Sequence, residues 1–159
     1  VFTKIDKNKL AAKKGNAKAG YAVKEVPKTA GDKVFEAIMD NYKGKVVFVD
    51  FWATWCAPCR SGIEQMKPLK EELANENVAF VYITNPSSPK GTYDNMIPDI
   101  KGEHYRLTQD EWNVVSGKFS ISGIPHYVLV GKEGQVINPH LMFMGNEQLK
   151  NMLMKYVKE

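Results

Sequence analysis

Apolar positions along this chain follow two different periods, and the way they alternate predicts an order of elements. From residue 1 to about residue 30 no period is sustained; only Tyr21, Val23 and Val26 alternate weakly, as an edge strand or a tether would. Val34, Phe35, Ile38, Met39 and Tyr42 then recur at helical spacing, with Asp32 as the expected N-cap and Gly44 as the stop. Lys45 to Phe51 and Val78 to Thr84 are short, nearly continuous β-branched and aromatic runs, the pattern of strands covered on both faces within a parallel sheet. Between them Ile63, Met66, Leu69 and Leu73 return to helical spacing, so the predicted order is strand, helix, strand, a βαβ unit of an α/β fold.

Breakers and caps refine this order. Pro68 falls inside the second helix, where it removes a backbone donor and crowds the carbonyl of Glu64, so a kink is expected. Asn85 to Lys90, with Pro86 and Pro89 between serines, reads as a loop. Thr108 with Glu111 three residues later forms a capping box that starts a helix through Trp112 and Val115 to about Gly117. His126 to Val130 is a further buried strand, and a turn at Lys132-Glu133-Gly134 leads into Gln135 to Asn138 as a hairpin. Asn146 is the expected cap of a last helix with Leu149, Met152, Leu153 and Tyr156 on one face.

Size and charge narrow the classes. At 159 residues a single core buries about 70% of the surface exposed by the unfolded chain, so neither a disulfide staple nor a structural metal is needed for stability. The two cysteines therefore call for another explanation. No apolar run approaches the ~18 residues of a membrane span, and the longest, Val46 to Phe51, already contains Asp50. Val1 is not followed by a basic, apolar and small-residue export pattern, so an export signal is expected either never to have existed or to have been removed. Of the net +4, residues 1 to 33 carry nine lysines against Asp6, Glu25 and Asp32, which leaves the remainder slightly acidic. This divides the chain into residues 1–30, a basic linker or N-terminal extension, and residues 31–159, a folded domain. Nucleic acid is not an expected partner, because Lys4 to Lys18 lie among Ala, Asn and Gly rather than aromatics; the weaker alternative is a phosphate or lipid contact.

Candidate chemistry concentrates in Cys56-Ala57-Pro58-Cys59, at the junction of a buried strand and the following helix. Unpaired N–H groups and the positive end of a helix dipole stabilise a thiolate there, which makes Cys56 a candidate nucleophile. Cys59, one turn on, points back over the same end and can attack a mixed disulfide at Cys56. Pro58 suits the first turn, where its missing N–H costs nothing. A zinc site is the less favoured reading, since His104, His126 and His140 stand in no paired ligand spacing, and a purely structural disulfide in so small a ring adds little. Asp50, inside an apolar run, should have a raised pKa if buried and would then suit a proton acceptor for Cys59; the alternative is an edge-strand carboxylate facing water. Trp52 is expected to pack in the core and Trp55 to form surface beside the site.

The string Val49-Asp50-Phe51-Trp52-Ala53-Thr54-Trp55-Cys56-Ala57-Pro58-Cys59-Arg60 resembles the active-site signature of the thioredoxin superfamily, and Gly123-Ile124-Pro125 before an apolar strand resembles its cis-proline loop. The Ala53-Thr54 form, with about forty residues between Thr84 and Pro125, is most similar to the extracytoplasmic TlpA/ResA-like reductases. The resemblance implies a thioredoxin-like α/β fold, a central mixed β-sheet flanked by helices, with a strand-helix insertion before the cis-proline loop that maps to Tyr105 to Leu107 and Thr108 to Gly117. It implies a thiol-disulfide oxidoreductase that reduces protein disulfides, with Cys56, Cys59, Asp50 and Pro125 catalytic and Trp55, Ala57, Pro58, Ile124 and His126 at the substrate. It further implies a cis Ile124-Pro125 bond, no metal or other cofactor, a monomer, and a periplasmic or otherwise extracytoplasmic bacterial location. A membrane electron donor would recharge the pair, and a tether would precede Val1. The rival class is a copper-binding or assembly protein without turnover on the same fold, using the cysteines with a histidine and a methionine from Leu141 to Met144.

Three positions depart from the family pattern. Glu64 stands where a proline is usual, five residues after Cys59, and Gly62 stands where many of these reductases have a glutamate, with Glu64 the candidate replacement for that acid. His126 replaces the common threonine after the cis-proline, its ring expected either in the core or towards the cysteines.

Overall fold

The computed structural model describes residues 20–159, and its frame is one six-stranded sheet. In chain order the strands are β1 (Tyr21–Lys24), β2 (Val46–Phe51), β3 (Val78–Thr84), β4 (Gly102–Arg106), β5 (His126–Val130) and β6 (Val136–Leu141). They lie side by side as β1-β4-β3-β2-β5-β6. The first four of that order run parallel, β5 is antiparallel to β2, and β6 is antiparallel to β5. The helices are α1 (Val34–Met39), α2 (Ala57–Gln65), α3 (Lys67–Glu72), α4 (Lys90–Met96), α5 (Gln109–Phe119) and α6 (Asn146–Val157). The mixed α/β sheet flanked by helices is thus the expected architecture, and α5 with β4 supplies the strand and helix ahead of Pro125.

Strand periodicity divides the core in two. Val46, Phe48 and Trp52 of the β2 segment face one way with Phe80, Tyr82, Tyr127 and Leu129, and are covered by Ile63, Met66, Leu69 and Leu73 of the α2–α3 segment and by Leu149 and Leu153 of α6. Val47, Val49 and Phe51 face the other way, under Val34, Phe35 and Ile38 of α1 and Val115 and Phe119 of α5. Every residue of β2 is buried, which is why its sequence runs almost continuously apolar.

Several expected boundaries shift, each for a local reason. The weak alternation near Tyr21 is an edge strand, β1, paired in parallel register with Gly102 to Tyr105, so the sheet begins before the expected boundary at residue 31. The reading of residues 1–19 as a basic linker lies outside the described residues. Asp32 does not cap α1; Lys33 holds the cap position without a side-chain bond, and the burial of Val34, Phe35, Ile38 and Met39 carries the helix instead. Gly44 does end this segment, at φ +90. Asn146 is likewise not the cap but the first residue of α6, behind Gly145 at φ +105, and its Nδ2 donates to the Gln65 carbonyl at 2.8 Å.

Pro68 produces a break rather than a kink. The helix stops at Gln65, turns at Met66 and restarts as α3 with Pro68 in the new first turn, where no donor is needed. The sequence pattern does not announce α4; its residues KGTYDNM offer only Tyr93 as a buried anchor, too little for a periodicity. The capping box of α5 is as expected, with Thr108 Oγ1 accepting from the Glu111 amide at 3.2 Å and Glu111 Oε1 from the Thr108 amide at 2.8 Å. β6 runs to Leu141, three residues past the expected end, and it tolerates Pro139 because it is an edge strand.

Candidate active site

β2 ends at Phe51, and five residues later the chain enters α2 at Cys56, the N-cap residue, in extended conformation with φ −90 and ψ 101. Its sulfur accepts from the Cys59 amide at 3.2 Å, a bond that satisfies one of the helix's orphan donors. Pro58 lies in the first turn. Cys56 and Cys59 form a disulfide, and Cys56 is the more accessible of the two, 4% exposed against 0%. Opposite stands the Ile124-Pro125 peptide, which is cis, with the Ile124 carbonyl oxygen 3.8 Å from Cys56 Sγ. Trp55, Ala57 and Pro58 are exposed around the disulfide, and Ile124 and Pro125 are half-buried.

The loop after β3 braces this turn. Ser88, fully buried, accepts from the Thr54 amide at 3.0 Å, shares a 2.7 Å hydrogen bond with Thr84 Oγ1, and its carbonyl accepts from Arg106 Nε at 2.9 Å. Ser87 Oγ accepts from Trp55 Nε1 at 2.9 Å and so fixes the exposed indole beside the cysteines.

Asp50 is 1% exposed and neither carboxylate oxygen has a hydrogen-bond partner among the described residues. It faces the α2 side in a lateral row of polar side chains set by strand register: Tyr127 on β5 and Tyr82 on β3 pair with Asp50, and His104 on β4 pairs with Tyr82. Burial pushes the Asp50 carboxyl up to about 8, and the charge of Lys70 partly opposes this. Lys70 itself is 8% exposed; its Nζ donates to Tyr82 Oη and to the Lys101 carbonyl, both at 2.7 Å. Burial lowers its pKa to about 8, while Asp50 pulls it upward. His104 stacks on Tyr82 with centroids 5.1 Å apart, and its Nε2 donates to the Ile100 carbonyl at 2.7 Å. Burial lowers it to about 3, so the ring is neutral. The water-facing alternative for Asp50 is thereby excluded.

Comparison with known proteins agrees with this geometry. A family described as thioredoxin-like matches residues 44–136. A thioredoxin of Staphylococcus saprophyticus is 30% identical over 118 residues, covering 74% of this chain and 88% of that protein. The chain belongs to the thioredoxin-like family. It is also 26% identical over 119 residues to the thiol-disulfide oxidoreductase ResA of Bacillus cereus, a match covering 74% of this chain and 66% of that protein, and 27% identical to the ResA of Halalkalibacterium halodurans, covering 73% and 64%. The chain thus spans just under two thirds of the length of these ResA relatives. The fold is shared with the thioredoxin domain of a thiol-disulfide oxidoreductase from Bacteroides vulgatus, with a TM-score of 0.65 at 23% identity over 75% of this chain and 84% of that one.

Within the thioredoxin-like family the departures now have local causes. A Cβ at Gly62 would lie 2.8 Å from Tyr127 Oη, so the phenol occupies the space that a side chain at that position would need. Glu64 does not take over for the missing acid; it is exposed and pairs with Lys67 at 2.8 Å. His126 is in register with Phe51 and its ring packs against Phe51 and His140, on the sheet face opposite α2, while Nε2 donates to the Pro139 carbonyl at 2.8 Å. Burial lowers its pKa, and His140 lowers it further. Of the residues singled out from sequence, the structure therefore gathers Cys56, Cys59, Ile124 and Pro125 at one point, buries Asp50 on the α2 face of the sheet, and turns the His126 ring aside.

Sequence reasoning misses Lys70, Tyr82, Tyr127, Ser87 and Ser88. The available signals are the strand phase, which puts Tyr82 on the Asp50 face, and the position of Ser87 and Ser88 just past a parallel strand, where α/β sheets place their sites. Gly62→Ala is expected to destabilise the protein by about 1–2 kcal/mol through overpacking against Tyr127, with most of the loss recovered in the double variant carrying Tyr127→Phe. Urea denaturation of the three variants checks this, and additive losses would show that the close approach is relieved elsewhere.

Proposed function

We propose that this chain is a thiol-disulfide oxidoreductase that reduces protein disulfides, with Cys56 attacking and Cys59 resolving. The observation that carries the reading is the Cys56–Cys59 disulfide at the N-terminus of α2, facing the Ile124 carbonyl across the site. In the reduced enzyme the Cys56 thiolate attacks one sulfur of a substrate disulfide; the substrate S–S bond breaks, its second sulfur leaves as a thiolate and takes a proton from water. Asp50 then accepts the Cys59 proton, the Cys59 thiolate attacks Cys56 Sγ, and the remaining substrate sulfur leaves with the electron pair. The enzyme ends oxidised, the substrate reduced by two electrons.

An extended substrate segment would lie along the Ile124 backbone, held by Pro125 and the backbone of His126 on one side and by Trp55, Ala57 and Pro58 on the other. A dithiol donor restores the pair; the resemblance to the extracytoplasmic TlpA/ResA-like reductases supports a membrane-bound donor, an extracytoplasmic site and a monomer. No described helix is long and apolar enough to cross a membrane itself. The Ala57-Pro58 spacer brings no cation between the sulfurs, and His126, with its lowered pKa, adds no charge at neutral pH. The Cys56 thiolate is then only moderately stabilised, which makes the disulfide the stable form and the dithiol a reductant. Equilibration against glutathione at fixed pH should place the pair close to the roughly −270 mV of reducing thioredoxins; a value near the roughly −120 mV of a strong protein oxidant would overturn the direction.

A further inference from the structure

At the opposite end of the sheet from the cysteines, where β2, β3 and β4 begin, the surface folds into a cleft of about 510 Å³, within the roughly 300–1,000 Å³ of small-molecule sites. Phe80 and Leu73 supply an apolar wall, Lys24, Lys45, Lys70 and Lys101 supply positive charge, and Glu103, which accepts from Tyr42 Oη at 3.2 Å, is the one carboxylate of the lining. Lys24 is paired with Glu103 at 3.8 Å, but Lys45 and Lys101 have no ion-pair partner among the described residues. Lys70 is the unusual member, a nearly buried ammonium held by two neutral oxygens, Tyr82 Oη and the Lys101 carbonyl, with no carboxylate bonded to it. Retaining a charge at such a site is costly unless another charge or polar group compensates it.

We propose that this cleft binds a small organic anion with an apolar body, such as a medium-chain carboxylate, and that Lys70 couples its occupancy to Asp50. The carboxylate lies among Lys45, Lys70 and Lys101 and the apolar body lies on Phe80 and Leu73, so both halves of the lining are used. Inorganic phosphate would meet the lysines alone. The cleft and the disulfide are separated by the length of β2, about 20 Å at ~3.3 Å per residue. Lys70 spans part of that distance, since it lines the cleft and also bonds Tyr82, the register partner of Asp50. The groups that face Asp50 are Lys70 from α3, Tyr82 from β3 and Tyr127 from β5, with the neutral His104 one strand beyond Tyr82. A bound anion offsets the Lys70 charge, and with less positive potential at the carboxyl, Asp50 holds its proton to higher pH. The functional consequence of that shift rests on Asp50 serving as the proton acceptor; the binding does not.

NMR titration of the oxidised protein with sodium hexanoate, hexylammonium chloride and inorganic phosphate separates these claims. Hexanoate should give saturable shifts in amides around Lys45, Val78 and Lys101, phosphate weaker ones, and hexylammonium none. The exposed pair Lys45→Gln/Lys101→Gln should weaken hexanoate about tenfold or more while leaving the spectrum folded. No saturation at millimolar hexanoate, equal binding of phosphate, or undiminished affinity in the double variant each overturns the site. The Asp50 carboxyl ¹³C titration should move upward by about half a unit with saturating hexanoate; an unmoved midpoint overturns the coupling. If the carboxyl midpoint moves while the pH profile of disulfide exchange does not, the coupling stands and the role of Asp50 in exchange falls.

Discussion

Cys56→Ser is expected to abolish disulfide exchange, leaving only the rate at which buffer thiols reduce the same substrate, whereas Cys59→Ser should retain the first attack and accumulate a mixed disulfide. The asymmetry follows from where each sulfur sits on α2. Cys56 is the N-cap residue and its sulfur receives the Cys59 amide, so a thiolate there is met by a hydrogen-bond donor and the positive end of the helix. Cys59 lies within the first turn, fully buried, and can reach only Cys56 or a sulfur bonded to it. In the reduced enzyme Cys56 should therefore titrate within the roughly 3.5–7.5 range of helix-terminal thiolates, not near 8.5 as a free thiol does. Iodoacetamide alkylation against pH, with the modified residue identified by mass spectrometry, tests the assignment. Modification of Cys59 first, or trapping of substrate by Cys56→Ser instead of Cys59→Ser, would reverse the roles.

The parts of this protein legible from sequence are those in which one residue type serves one local purpose. β2 and β5 can be read because both faces are covered and the runs are apolar but for Asp50 and His126; the capping box of α5 because Thr108 and Glu111 satisfy each other without outside help. The cysteines and Pro125 can be read because their chemistry is tied to fixed positions relative to a strand and a helix. What escapes depends on partners distant in sequence. Lys70 looks like one more exposed lysine of an amphipathic helix until the break at Met66 and the Tyr82 hydroxyl turn it inward. Ser88 looks like loop, yet it closes hydrogen bonds with Thr54 and Thr84 from either side of the site. Tyr127 reads as an ordinary strand aromatic, and only the close approach to Gly62 reveals why that helix position carries no side chain. Asp32 and Asn146 fail in the opposite direction: both have the right residue type for a cap, but tertiary packing starts each helix one residue away.

Asp50→Asn should separate two consequences of burying a carboxyl without a hydrogen-bond partner, one on stability and one on exchange. In the folded, oxidised protein the group titrates at about 8 because burial disfavours its charge, against about 3.9 in an unfolded chain. Between these values the folded state keeps a proton that the unfolded state has released, so stability is fully present below about pH 4 and falls as pH rises towards 8. At about 1.4 kcal/mol per unit the loss is of the order of 5 kcal/mol. Lys70 acts in a different window: its folded pKa is lowered to about 8, so its burial cost is relieved only as pH rises above that value. The amide that Asp50→Asn introduces cannot ionise, so the unfolding free energy of the variant should gain on that of the parent steadily from pH 4 to 8, while the buried neutral His104, lowered to about 3, raises both curves alike up to about pH 6.5. Urea titrations at a series of pH values measure the difference, and parallel curves would mean that Asp50 is not protonated in the folded state. The same substitution removes the carboxylate that accepts the Cys59 proton, a minority form below pH 8, and should slow release of the mixed disulfide by about a hundredfold at pH 8, where half of Asp50 is ionised, and by less at lower pH. Unchanged release in a variant whose stability curve diverges from the parent's would make Asp50 a buried structural acid, and the Cys59 proton would then have to leave by another route.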